Sequence, residues 1–236
     1  MLVSHRYRFI FVKTKKSAGS SVELAFEPYA RPESWVPPSG ELDFPTLEMV
    51  SEAGIVGARS PEAKKNAKYF DHMPAQTIRR EVTPKVWKQY FKFCTIRNPW
   101  DKTVSFFHFT HKDLRDAPTK QVIRRFRRWV DSAGRRRGLD KGIYWIDGAP
   151  AMDGYIRYHA LAADTAAVAA RLGIEEVKIG NVHTEHRQRG VPYEEYYDQD
   201  ARSAVAETYA DEIAHFGWTF DNTGPLNISP PLKALA

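Results

Sequence analysis

The sequence predicts an α/β fold in which a central parallel sheet is flanked by helices. Two strand–loop–helix units, one turning near residue 12 and one near residue 96, supply the alternation that such a sheet requires. The third observation is bulk. With 236 residues, 42% of them hydrophobic, and 6 Trp, 11 Tyr and 13 Phe, the chain can close one sizeable core and lacks a disordered composition. A single domain over 1–236 is the expectation. No run of about 18 apolar residues occurs, and Met1 to Arg6 leads straight into a core strand, so neither a signal peptide nor a membrane span is expected. The sole cysteine, Cys94, leaves no internal disulfide and reads as a small buried apolar residue, which points to the cytoplasm.

The first unit begins with Arg8-Phe9-Ile10-Phe11-Val12, whose β-branched and aromatic side chains read as a buried strand. It flows into Lys13-Thr14-Lys15-Lys16-Ser17-Ala18-Gly19-Ser20-Ser21 and then a helical pattern, with Ser20 and Glu23 spaced as a capping box. Backbone N–H groups at a new helix N-terminus, with Lys16, Ser17, Ser20 and Ser21, form a cradle for a phosphate or sulfate. Nucleotide triphosphatase loops read G-x-x-x-x-G-K-[ST], with a hydroxyl placed on magnesium. Here lysine precedes glycine, Lys16 can reach the outer end of the ligand, and no magnesium ligand is placed, so a metal-free anionic donor fits better. The plainer alternative is a turn that uses Ser and Gly only for capping.

From residue 28 to 70 the chain carries Pro28, Pro32, Pro37, Pro38, Pro45 and Pro61 and reads as loop, either a lid or acceptor wall or a passive excursion. The second unit follows. Tyr90 to Ile96 alternates like a strand and ends in Arg97-Asn98-Pro99-Trp100-Asp101, where Asn98 suits an N-cap, Pro99 the first helical position and Asp101 the first turn. Ser105 then lies inside that helix. Two anion sites far apart in sequence imply a ligand with two separate phosphate groups.

Residues 112–141 hold eleven Lys or Arg against four acids, an excess larger than the +6 of the whole chain. Val122, Ile123, Phe126, Trp129 and Val130 recur at helical spacing, which leaves Arg124, Arg125, Arg127 and Arg128 on the opposite, wet face. That face is a solvated helix surface or a steering field for an anionic acceptor. Interleaved stacking aromatics and a nucleic-acid module are missing, which argues against nucleic acid. Farther on, Ala162 to Leu172 reads as a helix stopped by Gly173, Val177 to Ile179 as a strand, Asp200 to Phe216 as one helix stopped by Gly217, and 222–236 as a tail. No metal-ligand spacing is visible.

These residues resemble the sulfotransferases that use 3'-phosphoadenosine 5'-phosphosulfate, in the branch related to carbohydrate sulfotransferases. The family joins a strand, a K-[ST]-x-G-[ST]-[ST] loop and a helix to a later R-N-P-x-[DE]-x-x-x-S stretch, and both are present here in order. Weaker echoes are Asp71 to Ala75, Ile143 to Gly148, Met152 to Tyr158 and Asp211 to Trp218. The resemblance implies a P-loop-like three-layer fold. It places the 5'-phosphosulfate on Lys13, Lys16, Ser17, Ala18, Gly19, Ser20 and Ser21, and the 3'-phosphate on Arg97 and Ser105, with Arg157 also near the cofactor. Two departures stand out. Ala18 replaces a common glycine, and His159 and Ala160 follow Arg157 where relatives usually carry an acidic residue and an asparagine.

What the resemblance implies is sulfuryl transfer to a hydroxyl or amine of an acceptor, a carbohydrate or small molecule that is anionic if the basic stretch serves it. The leaving bisphosphate accumulates charge, which Lys16 would stabilise, and a base must take the acceptor's proton. Of His5, His72, His108, His111, His159, His183, His186 and His215, only His72 lies in a segment that resembles the family's base-bearing region. Two rivals remain open: a magnesium-dependent P-loop kinase, and a non-catalytic binder of polyanions through the basic stretch.

Overall fold

Every residue of Phe9–Val12 and Phe91–Ile96 is buried, which fits strands covered on both faces. A computed structural model describes residues 1–35, 47–180 and 191–221. The strands are β1 (Leu2–Ser4), β2 (Phe9–Val12), β3 (Met49–Val50), β4 (Gly54–Val56), β5 (Phe91–Ile96), β6 (Trp145–Ile146), β7 (Ala149–Pro150) and β8 (Gly154–Arg157). The helices are α1 (Gly19–Phe26), α2 (Pro61–Lys64), α3 (Ala75–Glu81), α4 (Pro84–Gln89), α5 (Pro99–Thr110), α6 (Thr119–Asp131), α7 (Lys141–Tyr144), α8 (Leu161–Arg171), α9 (Gln199–Thr208) and α10 (Ala210–Phe216).

The main sheet has the order β3-β4-β1-β2-β5-β8. Its parallel part is β2, β5 and β8, in which Phe11 lies opposite Phe93 and Phe93 opposite Gly154. β1, β4 and β3 extend it antiparallel, so the sheet is mixed, with the expected parallel strands at one side. Side chains two apart share a face. On one face Leu2, Phe9, Phe11, Val56, Phe91, Phe93 and Ile156 pack with Val22 and Phe26 of α1, Val168 and Ala169 of α8, and Leu172 at its C-cap. Gly154 is required there, because a Cβ would stand 2.6 Å from a carbon of the Phe91 ring. On the other face, Tyr155 meets Tyr144 of α7 with ring centroids 6.3 Å apart.

The described chain divides into two compact units. Residues 1–96 and 140–180 form the unit that contains the sheet, and residues 97–139 with 191–221 form the other. In the second unit α6 buries Val122, Phe126 and Val130, and Phe126 meets Phe107 of α5 edge-on at 5.4 Å. Arg124, Arg125 and Arg128 are exposed, as the helical spacing requires, whereas Arg127 is half-buried and its Nε donates to the Tyr196 carbonyl at 3.1 Å. Arg135 is different. Its Nη1 donates to the carbonyls of Val130, Asp131 and Ser132, capping the end of α6 rather than joining the wet face.

Several expectations need correction. The proline-rich stretch is not loop throughout, since its described residues include β3, β4 and α2. Prolines at 28 and 61 sit in the first turns of short helices, where a missing N–H costs nothing. Val177 to Ile179 forms no strand. The final helix is two, α9 and α10, broken at Tyr209 (φ −109°, ψ 19°) and capped by Asp198, which accepts from Ala201 N–H, rather than by Asp200. Gly217 does end α10 in the left-handed region. Residues 36–46, 181–190 and 222–236, and with them Pro37, Pro38, Pro45, His183, His186 and the tail, lie outside the described residues.

Candidate active site

The C-terminal ends of β2, β5 and β8 lie side by side, and each carries residues that the sequence singles out. From β2 the chain enters the loop Lys13 to Ala18 and then α1. Lys16 (φ 54°) and Ala18 (φ 64°) are left-handed while Ser17 between them is not. Left-handed residues that alternate with others are the backbone pattern in which successive N–H groups can converge on an anion. Ala18 adopts this conformation, which glycine reaches without cost, although a residue with a Cβ bears strain there.

The helix begins at Gly19 with Ala18 as its cap residue, and no side chain caps it, so the Ser20–Glu23 capping box does not form. Glu23 is drawn elsewhere. It accepts from the Met1 ammonium at 2.6 Å and from Lys13 Nζ at 2.7 Å, and Arg59 Nε stands 3.1 Å away. Burial pushes the Glu23 carboxyl up, but the Met1 ammonium, Lys13 and Arg59 outweigh burial and hold it well below the usual carboxylate range. Lys13 also lies 3.7 Å from Asp71, which pairs with Lys64 as well. The Lys13 ammonium is therefore held in a buried ion network, whereas Lys16 is half-buried on the loop.

Two threonines fasten the loop. Thr14 Oγ1 contacts Ser17 Oγ at 2.7 Å and Thr95 Oγ1 at 2.8 Å, and donates to the Thr95 carbonyl at 2.5 Å. Ser17 Oγ contacts Thr95 Oγ1 at 2.8 Å. Gly19 lies under this fastening: a Cβ would meet the Thr14 carbonyl oxygen at 2.9 Å and Lys13 Cγ at 3.1 Å. Ser20 is half-buried and Ser21 buried in the first turn of α1.

His72 stands against the start of the loop in the left-handed region, at φ 57°. Its Nδ1 donates to the Lys13 carbonyl at 3.2 Å, because a carbonyl can only accept, and the neutral ring then carries its lone pair on Nε2. Nε2 lies 3.6 Å from Asp71 Oδ2. Burial first and the Lys13 ammonium second push the His72 pKa down to about 4, against an opposing pull from Asp71. At neutral pH the ring is an unprotonated base.

Arg157 closes β8 with a two-pronged pair to Asp164, Nε to Oδ2 at 2.7 Å and Nη2 to Oδ1 at 2.7 Å. That hydrogen-bonded pair raises the Arg157 pKa against burial. The acidic partner that His159 and Ala160 do not supply comes from one turn into α8. In the second unit, buried Arg97 makes a similar fork to Asp101, Nε to Oδ2 at 2.6 Å and Nη2 to Oδ1 at 3.0 Å. Asn98 caps α5 by accepting from Trp100 N–H at 3.0 Å, Pro99 opens the helix, and Ser105 is half-buried midway along it.

The sequence reading missed Thr14, Thr95, Asp140 and Asp164. Parallel pairing of Val12 with Cys94 would have put the two threonines at one sheet edge. Asp140, which accepts from Lys15 N–H at 3.0 Å, gives no local signal. Among the described residues no group of three or more His, Cys, Asp or Glu could hold a metal ion, and no helix is long and apolar enough to cross a membrane. Comparison with curated proteins gives no match, nor does comparison with solved structures. A family model described as the sulfotransferase family matches residues 1–218. That span takes in the anion loop, His72, the Arg97 segment and Arg157, and the chain belongs to the sulfotransferase family.

Proposed function

We propose that the protein transfers a sulfuryl group from 3'-phosphoadenosine 5'-phosphosulfate to a hydroxyl or amine of a carbohydrate or small-molecule acceptor, leaving 3',5'-bisphosphoadenosine. The observation that carries this reading is the left-handed pair Lys16 and Ala18 at the start of α1, with the neutral His72 ring tied to the same loop. A concavity of N–H groups beside a lysine fits a phosphosulfate and asks for no metal. The bound donor supplies an electrophilic sulfur whose bond to the bridging oxygen breaks as the acceptor atom bonds to it.

In this reading Lys16 stabilises the charge that gathers on the bridging oxygen, and the loop N–H groups hold the adjoining phosphate. His72 Nε2 takes the acceptor's proton. Ser17, Ser20 and Ser21 line the loop, with Ser17 also fastening it, while Lys13 acts from behind as a buried charge. Arg97 and Ser105 take the 3'-phosphate, the role of their motif in the family, and Arg157 is a further cofactor contact. The exposed Arg124, Arg125 and Arg128 suit an anionic acceptor. A cytoplasmic location accords with the single, buried cysteine.

Thermal-shift titration separates this reading from its rivals. Bisphosphoadenosine should stabilise the protein without magnesium and more strongly than ATP with magnesium. Tighter binding of magnesium-ATP would favour a kinase. Salt-sensitive heparin binding that survives Lys16→Ala and Arg97→Ala, without any response to the bisphosphate, would favour a polyanion binder.

A further inference from the structure

The segment from Asp140 to Asp147 belongs to none of the roles above, yet it is tied at both ends to elements of the site. Asp140 is 1% exposed, and both its carboxylate oxygens accept the backbone N–H of Lys15, at 3.2 and 3.0 Å. Its own carbonyl accepts from Ile143 N–H at 2.6 Å and Tyr144 N–H at 3.2 Å, which starts α7. α7 runs directly into β6, and both pack against α3. That helix opens at Ala75, just after His72. At the far end Arg79 of α3 pairs with Asp147 at 3.4 Å.

A carboxylate beside an anion-binding loop has an electrostatic cost, since it repels the ligand the loop is shaped to hold. Its advantage is acceptor strength: charge-assisted hydrogen bonds are roughly twice as strong as neutral ones. By taking the Lys15 N–H, Asp140 fixes that amide directly beside the stretch in which the φ alternation lies.

We propose that Asp140 is a positioning residue that clamps the anion loop, through Lys15, to the α7–β6 segment and so to the helix that follows His72. The clamp sets the spacing between Lys16 and His72. It rests on the sulfuryl-transfer reading for its functional consequence, and on the Lys15 contact for its structural one.

Asp140→Asn and Asp140→Ala, made in the full chain, test it. Titration with 3',5'-bisphosphoadenosine, donor KM and kcat, and hydrogen exchange over residues 13–21 are measured together. The Asn variant keeps an acceptor oxygen for Lys15, and should bind the bisphosphate at least as tightly as wild type, with unchanged loop exchange. The Ala variant should weaken binding and raise donor KM by about 10-fold, the scale of one charge-assisted hydrogen bond. Its faster exchange should be confined to the loop, which general destabilisation would not produce. Wild-type binding and exchange in Asp140→Ala would overturn the clamp. So would a folded Asn variant impaired as much as the Ala variant, or failure of both to fold, since charge or fold alone would then be at stake. If only the Ala variant fails to fold, the Asn variant decides by the same criteria. A wild-type protein that ignores the bisphosphate would instead count against sulfuryl transfer, and the exchange comparison would still judge the clamp.

Discussion

Lys13 Nζ and Glu23 Oε2 meet at 2.7 Å in the interior, and this contact separates the roles of two lysines that stand three residues apart. Glu23 faces three cations, Met1, Lys13 and Arg59, and all are buried with it. Removing one partner of a buried pair leaves uncompensated charge and typically costs roughly 3–5 kcal/mol. Glu23→Gln should therefore lower unfolding stability on that scale in urea titrations. Lys16→Ala should change it by no more than about 0.5 kcal/mol, the usual range for a site outside the core.

Lys16→Ala should instead reduce turnover by about 100- to 1000-fold, the scale of one preorganised charge-stabilising donor. Single-turnover rates at saturating donor are the measurement, and near-normal turnover would remove Lys16 from its assigned role.

His72 makes a prediction about pH. A base whose pKa lies near 4 is already unprotonated at neutral pH, so kcat/KM should be level between about pH 6 and 8 and fall only in more acidic buffer. Stability carries the same sign. The folded protein binds its proton less readily than the unfolded chain, so this contribution is full above about pH 6.5, the ordinary value, and is lost as pH falls through about 4. Because φ is 57°, a conformation that asparagine tolerates better than alanine, His72→Asn is the cleaner variant. It should abolish transfer, flatten the acid loss of stability and leave bisphosphate binding intact. An unchanged rate in this variant would exclude His72 as the base.

Gly19 has no room for a side chain beneath the loop. In Gly19→Ala the Thr14 carbonyl, 2.9 Å from the new carbon, must shift, and with it the Thr14–Ser17–Thr95 fastening. Overpacking of this kind costs about 1–3 kcal/mol. Melting temperature should fall modestly, while affinity for the bisphosphate should fall at least about 10-fold. Full affinity would show that the loop's path does not govern binding.

What the sequence made legible follows from which signals are local. Hydrophobic runs located β2 and β5, and Asn98, Pro99 and Asp101 located the start of α5, because caps and strand composition act within a few residues. The Ser20–Glu23 spacing matched a capping box, but a buried carboxylate with three cations within reach gains more from them than from one amide. The same competition holds the Lys13 ammonium against Glu23 and near Asp71. The break at Tyr209 and the loss of a strand at 177–179 are tertiary outcomes that periodicity does not encode. Asp140 and Asp164 were invisible for another reason: their partners, Lys15 and Arg157, are joined to them by the fold rather than by any motif.

The most direct test of the account is calorimetric titration of the wild-type protein, Lys16→Ala and Arg97→Ala with 3',5'-bisphosphoadenosine in the absence of magnesium. The account predicts saturable one-to-one binding that each substitution weakens by about 10-fold or more, the scale of a charged hydrogen-bonding group. Absence of binding to the wild-type protein, or equal affinity in all three, would contradict it.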